Sequence, residues 1–414
     1  IINYASTIIE PILRADQYRD FVDDLIGEPT LANQTAYFGA NEGSNVIMIL
    51  CETCEEYAFD PELTPNYFRL KNMALSFENG FSAAKRNYTY DAEFKSLTSM
   101  MYSGLENYMF KFGTNSFRNA LPYVLQEHGY ISQSFHNYYG SFFNRREIHQ
   151  NMGFENYYAM EELDLPEDLD YWPLDSWMFD QFMDQIIPEQ DEPFFSFLIT
   201  VVPHGPHNHI RQELSVYYEA IEAHGGYEDY EQAFITHLAA QMDFDLGLGM
   251  MLDELEVRGL LEDTIIVLYG DHKNYSSIEI TEKYKENADI PYDIEKVPFM
   301  IYSSKIEPGI SSLYTSHYDI TPTLFDLLGI TYYQDYYYGQ SFFDENRIDK
   351  PIILTHSRWI LPQYRVMDDE VVLGEVDYEA YLEMKQYIYD QFVKFEAMFF
   401  SNYFLETDSF RIPS

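Results

Sequence analysis

The stretch that most constrains this chain is Thr264-Ile265-Ile266-Val267-Leu268, followed at once by Tyr269-Gly270-Asp271-His272. A short run of β-branched and aliphatic residues makes a strand buried on both faces, the kind found in parallel sheets covered by helices. Gly270 is expected to let the backbone turn, leaving a carboxylate and an imidazole side by side at the carboxyl end of the strand. In open α/β sheets the ligand site lies outside that edge, and an adjacent oxygen and nitrogen donor suit a divalent metal. Taken alone, the dipeptide reads more plainly as a strand end opening into a loop.

The remaining elements repeat the theme. Asn45 to Leu50 reads as a core strand that delivers Glu52 just past its end. Pro65 opens a helix, and Asn79-Gly80 marks a turn. Thr89 has the chemistry to cap a helix running on towards Met101. Phe117 to His128 has helical periodicity closed by Gly129, and Tyr130 to Phe135 is a strand ending at His136. The acidic and aromatic stretch Asn151 to Gln190 reads as an excursion over the sheet edge. Phe194 to Val202 is a strand, followed by Pro203-His204-Gly205-Pro206-His207. A long helix over about Tyr230 to Arg258 precedes the Asp-His strand. Beyond it come a strand from Pro298 to Tyr302 and a helix starting at Asp319 and closed by Gly329.

After about residue 350 the pattern changes to a strand from Ile352 to Ile360, a hairpin over Gln363 to Val376 and a closing helix from Tyr378 to Phe404. Alternating strands and helices imply an α/β fold, a mostly parallel sheet sandwiched by helices, with a small C-terminal antiparallel strand plus helix subdomain. The expected division is a lead-in segment over 1–40 packing on the core, a catalytic domain over 41–350 and the small subdomain over 351–414.

The formal charge of −44, from 69 acidic against 25 basic residues, excludes nucleic acid as a partner, because binding it rests on neutralising phosphates with Lys and Arg. The two cysteines, Cys51 and Cys54, have redox-motif spacing but cannot make a structural zinc site by themselves; Cys51, following a core strand, is expected to be a buried and inert thiol. No apolar run reaches the roughly 18 residues of a membrane span. The chain begins Ile1-Ile2-Asn3, so a piece of a longer protein is expected.

Glu52, Thr89, Asp271 and His272 then form a mostly oxygen-donor set, which favours Mn²⁺ or Mg²⁺ over Zn²⁺. Singly, Glu52 reads as an exposed strand end and Thr89 as a cap; together they sit on the matching ends of their elements. A Thr hydroxyl needs activation to act as a nucleophile, and metal coordination is one route. A helix N-terminus beside it suits a phosphate.

On these residues the chain resembles the lipoteichoic acid synthase family, membrane-anchored phosphoglycerol transferases of the alkaline phosphatase and sulfatase superfamily. The nucleophile turn is matched by Thr89-Tyr90-Asp91-Ala92-Glu93-Phe94, the metal motif by Tyr269 to His272, and an aromatic pair before Asn-Arg by Phe142-Phe143-Asn144-Arg145. The resemblance implies an alkaline phosphatase-like fold and a metal held by Glu52, Thr89, Asp271 and His272. It implies that Thr89 attacks phosphorus, that Arg145 binds the phosphate or head group, and that His204 steadies phosphate oxygens or passes a proton. His136, Phe143 and Ser276 fall at substrate-binding positions.

It further implies a phospholipid donor, a glycolipid or teichoic acid polymer acceptor, and a place on the extracellular face of the cell membrane, reached through a segment missing from this chain. Three departures touch the head group: His136-Asn137 replaces His-Gly, Phe143 replaces a Trp, and the tail beyond His272 keeps only Ser276. A phosphodiesterase or phosphoethanolamine transferase on the same core is the alternative. A sulfatase signature around a convertible Cys or Ser is absent from the sequence. His204, His207 and His209 raise the question of a second metal, with a polar loop as the plainer reading.

Overall fold

Both faces of strand β1 (Asn45–Cys51) are apolar, and this strand sits at the heart of the sheet. Val46, Met48 and Leu50 point into one hydrophobic core; Ile47, Ile49 and Cys51 point into a second core on the opposite face. The structure, a computed structural model, describes residues 15–102 and 108–405 apart from 168, 170 and 190. Residues 1–14 of the lead-in segment lie outside the described residues.

Around β1 the chain places β2 (Leu75–Phe81), β3 (Ile131–His136), β4 (Asn156–Ala159), β5 (Phe194–Ile199), β6 (Thr264–Gly270), β7 (Phe299–Tyr302) and β8 (Gly309–Ser316). They form an eight-stranded sheet in the order β4-β3-β5-β1-β6-β7-β2-β8. Strand β7 pairs antiparallel with β6 and β2, and the other pairings are parallel. The mostly parallel, helix-covered sheet is the one the sequence implies.

The helices that matter here are α1 (Ala15–Ile26), α2 (Pro65–Met73), α3 (Thr89–Thr98), α4 (Leu121–Glu127), α5 (Arg145–Asn151), α6 (Asp175–Gln181), α7 (Gln232–Val257), α8 (Ile320–Leu327) and α9 (Tyr378–Ser401). Phe94 and Leu97 of α3, Val124 of α4, Leu324 of α8 and Phe399 of α9 fill the first core. Leu70 of α2, Phe179 of α6 and Phe244, Leu248 and Leu252 of α7 fill the second. Helix α1 packs beside α9, with Tyr18 and Phe400 in ring contact at 5.4 Å. Among the described residues no helix is long and apolar enough to cross a membrane.

Register sets the position of the site. His136 pairs with Ile199, Leu50 pairs with both Ile199 and Tyr269, and Cys51 pairs with Gly270. The carboxyl ends of β3, β5, β1 and β6 therefore finish level, and Glu52, Asp271 and the residues after His136 emerge on one edge.

Several expectations are corrected. Asn79-Gly80 lies inside β2 rather than in a turn, because a Cβ on Gly80 would stand 2.6 Å from Phe299 Cβ; the glycine serves close strand packing. Gly270 is likewise the last residue of β6, where a Cβ would meet Val297 Cβ at 2.8 Å. The Asn151 to Gln190 stretch is more than an excursion, since it supplies edge strand β4 and helix α6. Strands β2 and β8 carry polar and small residues (Leu-Ser-Phe-Glu-Asn-Gly-Phe and Gly-Ile-Ser-Ser-Leu-Tyr-Thr-Ser) that hide their strand character.

Ile352 to Ile360 is a hairpin of β9 (Ile352–Thr355) and β10 (Arg358–Ile360), not one strand. With β11 (Tyr364–Met367) and β12 (Glu370–Gly374) it makes the expected antiparallel sheet, in the order β12-β11-β10-β9. Cys51 and Cys54 are joined as a disulfide, not free thiols, and bracket Glu52 and Thr53.

Candidate active site

The turn after β1 is held by the protein's own groups. Glu52 N donates to Thr200 Oγ1 at 2.8 Å, fixing the turn to the end of β5. Thr53 N donates to Asp271 Oδ1 at 2.7 Å, and Thr53 Oγ1 to Glu52 Oε1 at 2.5 Å. The Asp271 Oδ1 atom also accepts from His272 N at 2.7 Å. One residue, Thr53, thus ties the ends of β1 and β6 together, and its φ of +49° records how tight that turn is.

Glu52, Asp271 and His272 are all buried, and each presents a ligand atom within 4.8 Å of the other two. His272 Nε2 lies 3.0 Å from Asp271 Oδ2 and 3.7 Å from Glu52 Oε1. His272 Nδ1 donates to Lys273 O at 3.0 Å, which leaves Nε2 as the ring's free lone pair in the neutral form. Asp271 Oδ2 is buried and receives no hydrogen bond of good geometry.

The charges are strongly coupled. Burial and the Asp271 charge push the Glu52 carboxyl up. Burial also opposes ionisation of Asp271, but the His272 charge and hydrogen bonds from His272, Thr53 and Thr89 hold its carboxyl below its usual value. Burial works against the His272 imidazolium, and Asp271 outweighs it, bringing the ring up to about 9. Two buried carboxylates and an imidazole whose second nitrogen is fixed to a carbonyl are a donor set that fits a small divalent cation.

Thr89 is the first residue of α3, and Tyr88 holds the cap position. The expected cap is corrected: the Thr89 side chain makes no capping bond, and its Oγ1 donates instead to Glu52 Oε2 at 3.0 Å. The hydroxyl is thereby aimed at the carboxylate–imidazole cluster and away from the helix backbone.

Arg145 opens α5 and is buried. Its Nε donates to Glu93 Oε2 at 2.8 Å, its NH1 lies 3.4 Å from His136 Nε2, and its guanidinium stands 5.5 Å from the centre of the Phe143 ring. His136 Nδ1 donates to Ile199 O at 2.9 Å, so Nε2 faces Arg145 as an acceptor. Burial and the Arg145 charge lower that ring to about 3, and it stays neutral. Burial opposes the Glu93 charge, yet Arg145 and His149 hold its carboxyl at about 2. Two nearby cations are engaged with carboxylates of their own, Arg146 with Glu161 and Glu162, and Lys273 with Glu295.

His204 is half-buried, edge-on to Trp172 at 4.7 Å, and close enough for its charge to act on Glu52. Ser276 is exposed and donates to Asn274 Oδ1 at 2.9 Å. His207 is buried and stacked at 4.6 Å on His237, while His209 is exposed. His237 Nε2 donates to Thr53 O at 2.9 Å, and Asn274 Nδ2 stands 3.4 Å from the Nδ1 atoms of both His207 and His237. These residues brace the turns from behind, and among the described residues the metal-type cluster is Glu52, Asp271 and His272 alone.

Sequence reasoning brought forward Glu52, Thr89, Asp271 and His272, which the structure brings together, and Arg145, His136 and Phe143, which form a second group beside them. It passed over Thr53, Glu93, His149, His237 and Asn274. A signal existed for two of these: Glu93 is four residues after Thr89, and His149 four after Arg145, the spacing of one helix face.

The Sulfatase family matches residues 44–330, more than half of the 414-residue chain. The chain belongs to that family, and its curated relatives include lipoteichoic acid synthases. Lipoteichoic acid synthase 1 of Bacillus subtilis (strain 168) is 26% identical over 357 residues, covering 80% of this chain and 53% of that protein. The chain thus spans about half the length of the curated relative it matches. Among solved structures, the lipoteichoic acid synthase LtaP of Listeria monocytogenes superposes with a TM-score of 0.71 at 20% identity, over 92% of this chain and 98% of that one. The Streptococcus pyogenes phosphoglycerol transferase GacH, in complex with sn-glycerol-1-phosphate, superposes with a TM-score of 0.53 at 17% identity, over 93% of this chain and 91% of that one.

Proposed function

We propose that the chain is a metal-dependent transferase that moves a phosphoglycerol-type group from a membrane phospholipid to a glycolipid or polymer acceptor through a phospho-Thr89 intermediate. The observation that carries this reading is the Thr89 hydroxyl, set at the head of α3 and hydrogen-bonded at 3.0 Å to Glu52 within the Asp271–His272 cluster. Glu52, Thr89, Asp271 and His272 would hold the cation, Mn²⁺ before Mg²⁺ and both before Zn²⁺, since the donors are mainly oxygen. Such a cation, when bound, lowers the pKa of a coordinated hydroxyl and offsets negative charge on phosphate.

The chain's own residues do the rest. Thr89 Oγ passes its proton to Glu52 Oε2, the carboxylate oxygen it meets at 3.0 Å, and forms a bond to phosphorus as the bond from phosphorus to the lipid alcohol breaks, while His204 gives that alcohol its proton. In the second half an acceptor hydroxyl attacks phosphorus and gives its proton to His204, and Thr89 Oγ leaves, taking its proton back from Glu52. Arg145 faces the anionic phosphodiester with a fixed fork of donors, and His136 and Phe143 shape the head-group side, with Ser276 at the outer rim. The location that goes with these substrates is the outer face of a cell membrane.

Peptide mass spectrometry after incubation with a phosphatidylglycerol and Mn²⁺ tests this. A glycerol phosphate adduct on Thr89 is expected. Turnover with no adduct on Thr89, in quenched single-turnover samples, sinks the covalent route.

A second reading, transfer of a different head group or release to water, is favoured by Asn137. Where the resemblance expects glycine, Asn137 is buried and donates to Pro173 O and Asp175 Oδ1, both at 2.9 Å. The wall beside His136 is therefore built differently. A competition assay between phosphatidylglycerol and phosphatidylethanolamine, read by the mass added to Thr89, separates the two readings.

A further inference from the structure

Helix α3 carries Thr89 at its start and Glu93 one turn further on, on the same face. Helix α5 repeats this arrangement with Arg145 and His149. The two helices meet at Glu93, which is fully buried and holds both partners: Oε2 accepts from Arg145 Nε at 2.8 Å and Oε1 accepts from His149 Nε2 at 2.6 Å. His149 is buried in turn, with its Nδ1 2.9 Å from Ser134 Oγ on β3 and its ring 5.0 Å from that of Phe154. On the far side, Arg145 NH1 approaches His136 Nε2 at 3.4 Å.

Resting on the reading of Arg145 as the phosphate-facing cation, we propose that Glu93, backed by His149, is the positioning residue that sets Arg145 relative to Thr89. The rigid turn of α3 between Thr89 and Glu93 acts as the spacer. An arginine left to itself has several rotatable bonds, and fixing its fork before the substrate arrives is what turns a charge into an oriented donor. Glu93 engages the guanidinium through Nε, so the engagement orients the group along one edge. The two carboxylate oxygens serve two separate N–H donors. A glutamine at 93 has one acceptor oxygen and must turn an N–H towards one of them, so Glu93→Gln keeps the volume but breaks the arrangement.

The test is a double-mutant cycle read by binding and by turnover, on the Mn²⁺-loaded chain. Glycerol phosphate affinity is measured by calorimetry for the parent, Glu93→Gln, Arg145→Met and the double variant; kcat and KM are measured on a phosphodiester in parallel. If Glu93 acts through Arg145, Glu93→Gln weakens glycerol phosphate binding about 10-fold or more in the parent and by less than about 2-fold in the Arg145→Met background, the coupling expected of residues in one network. Mn²⁺ affinity stays within about 2-fold throughout, which a general loss of structure would not permit. Equal weakening by Glu93→Gln in both backgrounds overturns the positioning role while leaving Arg145 as the anion's partner. A parent that turns over phosphodiesters but binds glycerol phosphate no better than Arg145→Met overturns the role of Arg145 and this inference with it. Should Glu93→Gln unfold, His149→Gln in the same cycle gives the same readout from the other side of the carboxylate.

Discussion

At the scale of single residues, two substitutions separate chemistry from architecture. The Thr89 hydroxyl donates to Glu52 Oε2 at 3.0 Å. Losing that bond costs on the order of 1–2 kcal/mol of stability, whereas losing a nucleophile costs at least about 10³-fold in turnover. Thr89→Ala is expected to keep a near-parental melting temperature and still bind Mn²⁺ through Glu52, Asp271 and His272 while turnover disappears, checked by calorimetry beside a phosphodiester assay. Retained turnover would mean that water attacks phosphorus directly. Arg145→Lys keeps a positive charge but not the fork that reaches Glu93 and His136 together. Turnover is expected to fall by about 10²-fold, and Arg145→Ala should also destabilise the chain, by about 3–5 kcal/mol, because Glu93 is then a buried charge without its main partner. Equal kinetics for the parent and both variants would remove Arg145 from the site.

At the scale of elements, the edge where β1 and β6 finish is held by close contact as well as by hydrogen bonds. Gly270 leaves no room for a methyl group, with Val297 Cβ 2.8 Å and Cys54 O 3.2 Å from where a Cβ would stand. Gly270→Ala therefore overpacks the junction of β6, the loop before β7 and the Cys51–Cys54 turn, at about 1–3 kcal/mol. Because Asp271 is the next residue, the strain should appear as weaker Mn²⁺ binding together with a lower melting temperature. Calorimetric titration and thermal unfolding on the same sample check this; unchanged values in both would show that the turn yields freely.

At the scale of the whole molecule, charge sets the solution behaviour. A net −44 makes the chain self-repelling. Asp175, buried and next to Asp243, has its carboxyl pushed up to about 8, by burial first and the Asp243 charge second. The unfolded chain releases that proton near 4, so between about 4 and 8 the folded state binds it more tightly. Lowering the pH through that window therefore adds stability, and the contribution is lost as pH rises through about 8. The folded chain is expected to melt higher at pH 6 than at pH 8.5, and salt, which screens the repulsion, should narrow the gap. Asp175→Asn should flatten the same pH profile of melting temperature; an unaltered profile would show that the dependence arises elsewhere in the molecule.

The sequence by itself determined the elements whose information is local. β6 was legible because its apolar run is continuous, and Asp271 and His272 because they are covalently next to its end. Thr89 and Arg145 stood out through motif resemblance, and α7 and α9 through long periodic patterns. Tertiary structure alone decided the partners. That Glu93 belongs to Arg145 and His149 and that His237 supports Thr53 from α7 depend on side-chain directions or on chain separations that no local pattern encodes. The same holds for β2 and β8: their Asn, Ser and Gly residues give no strand signal, and they become strands because neighbouring edges of the sheet present unpaired backbone groups that must be satisfied.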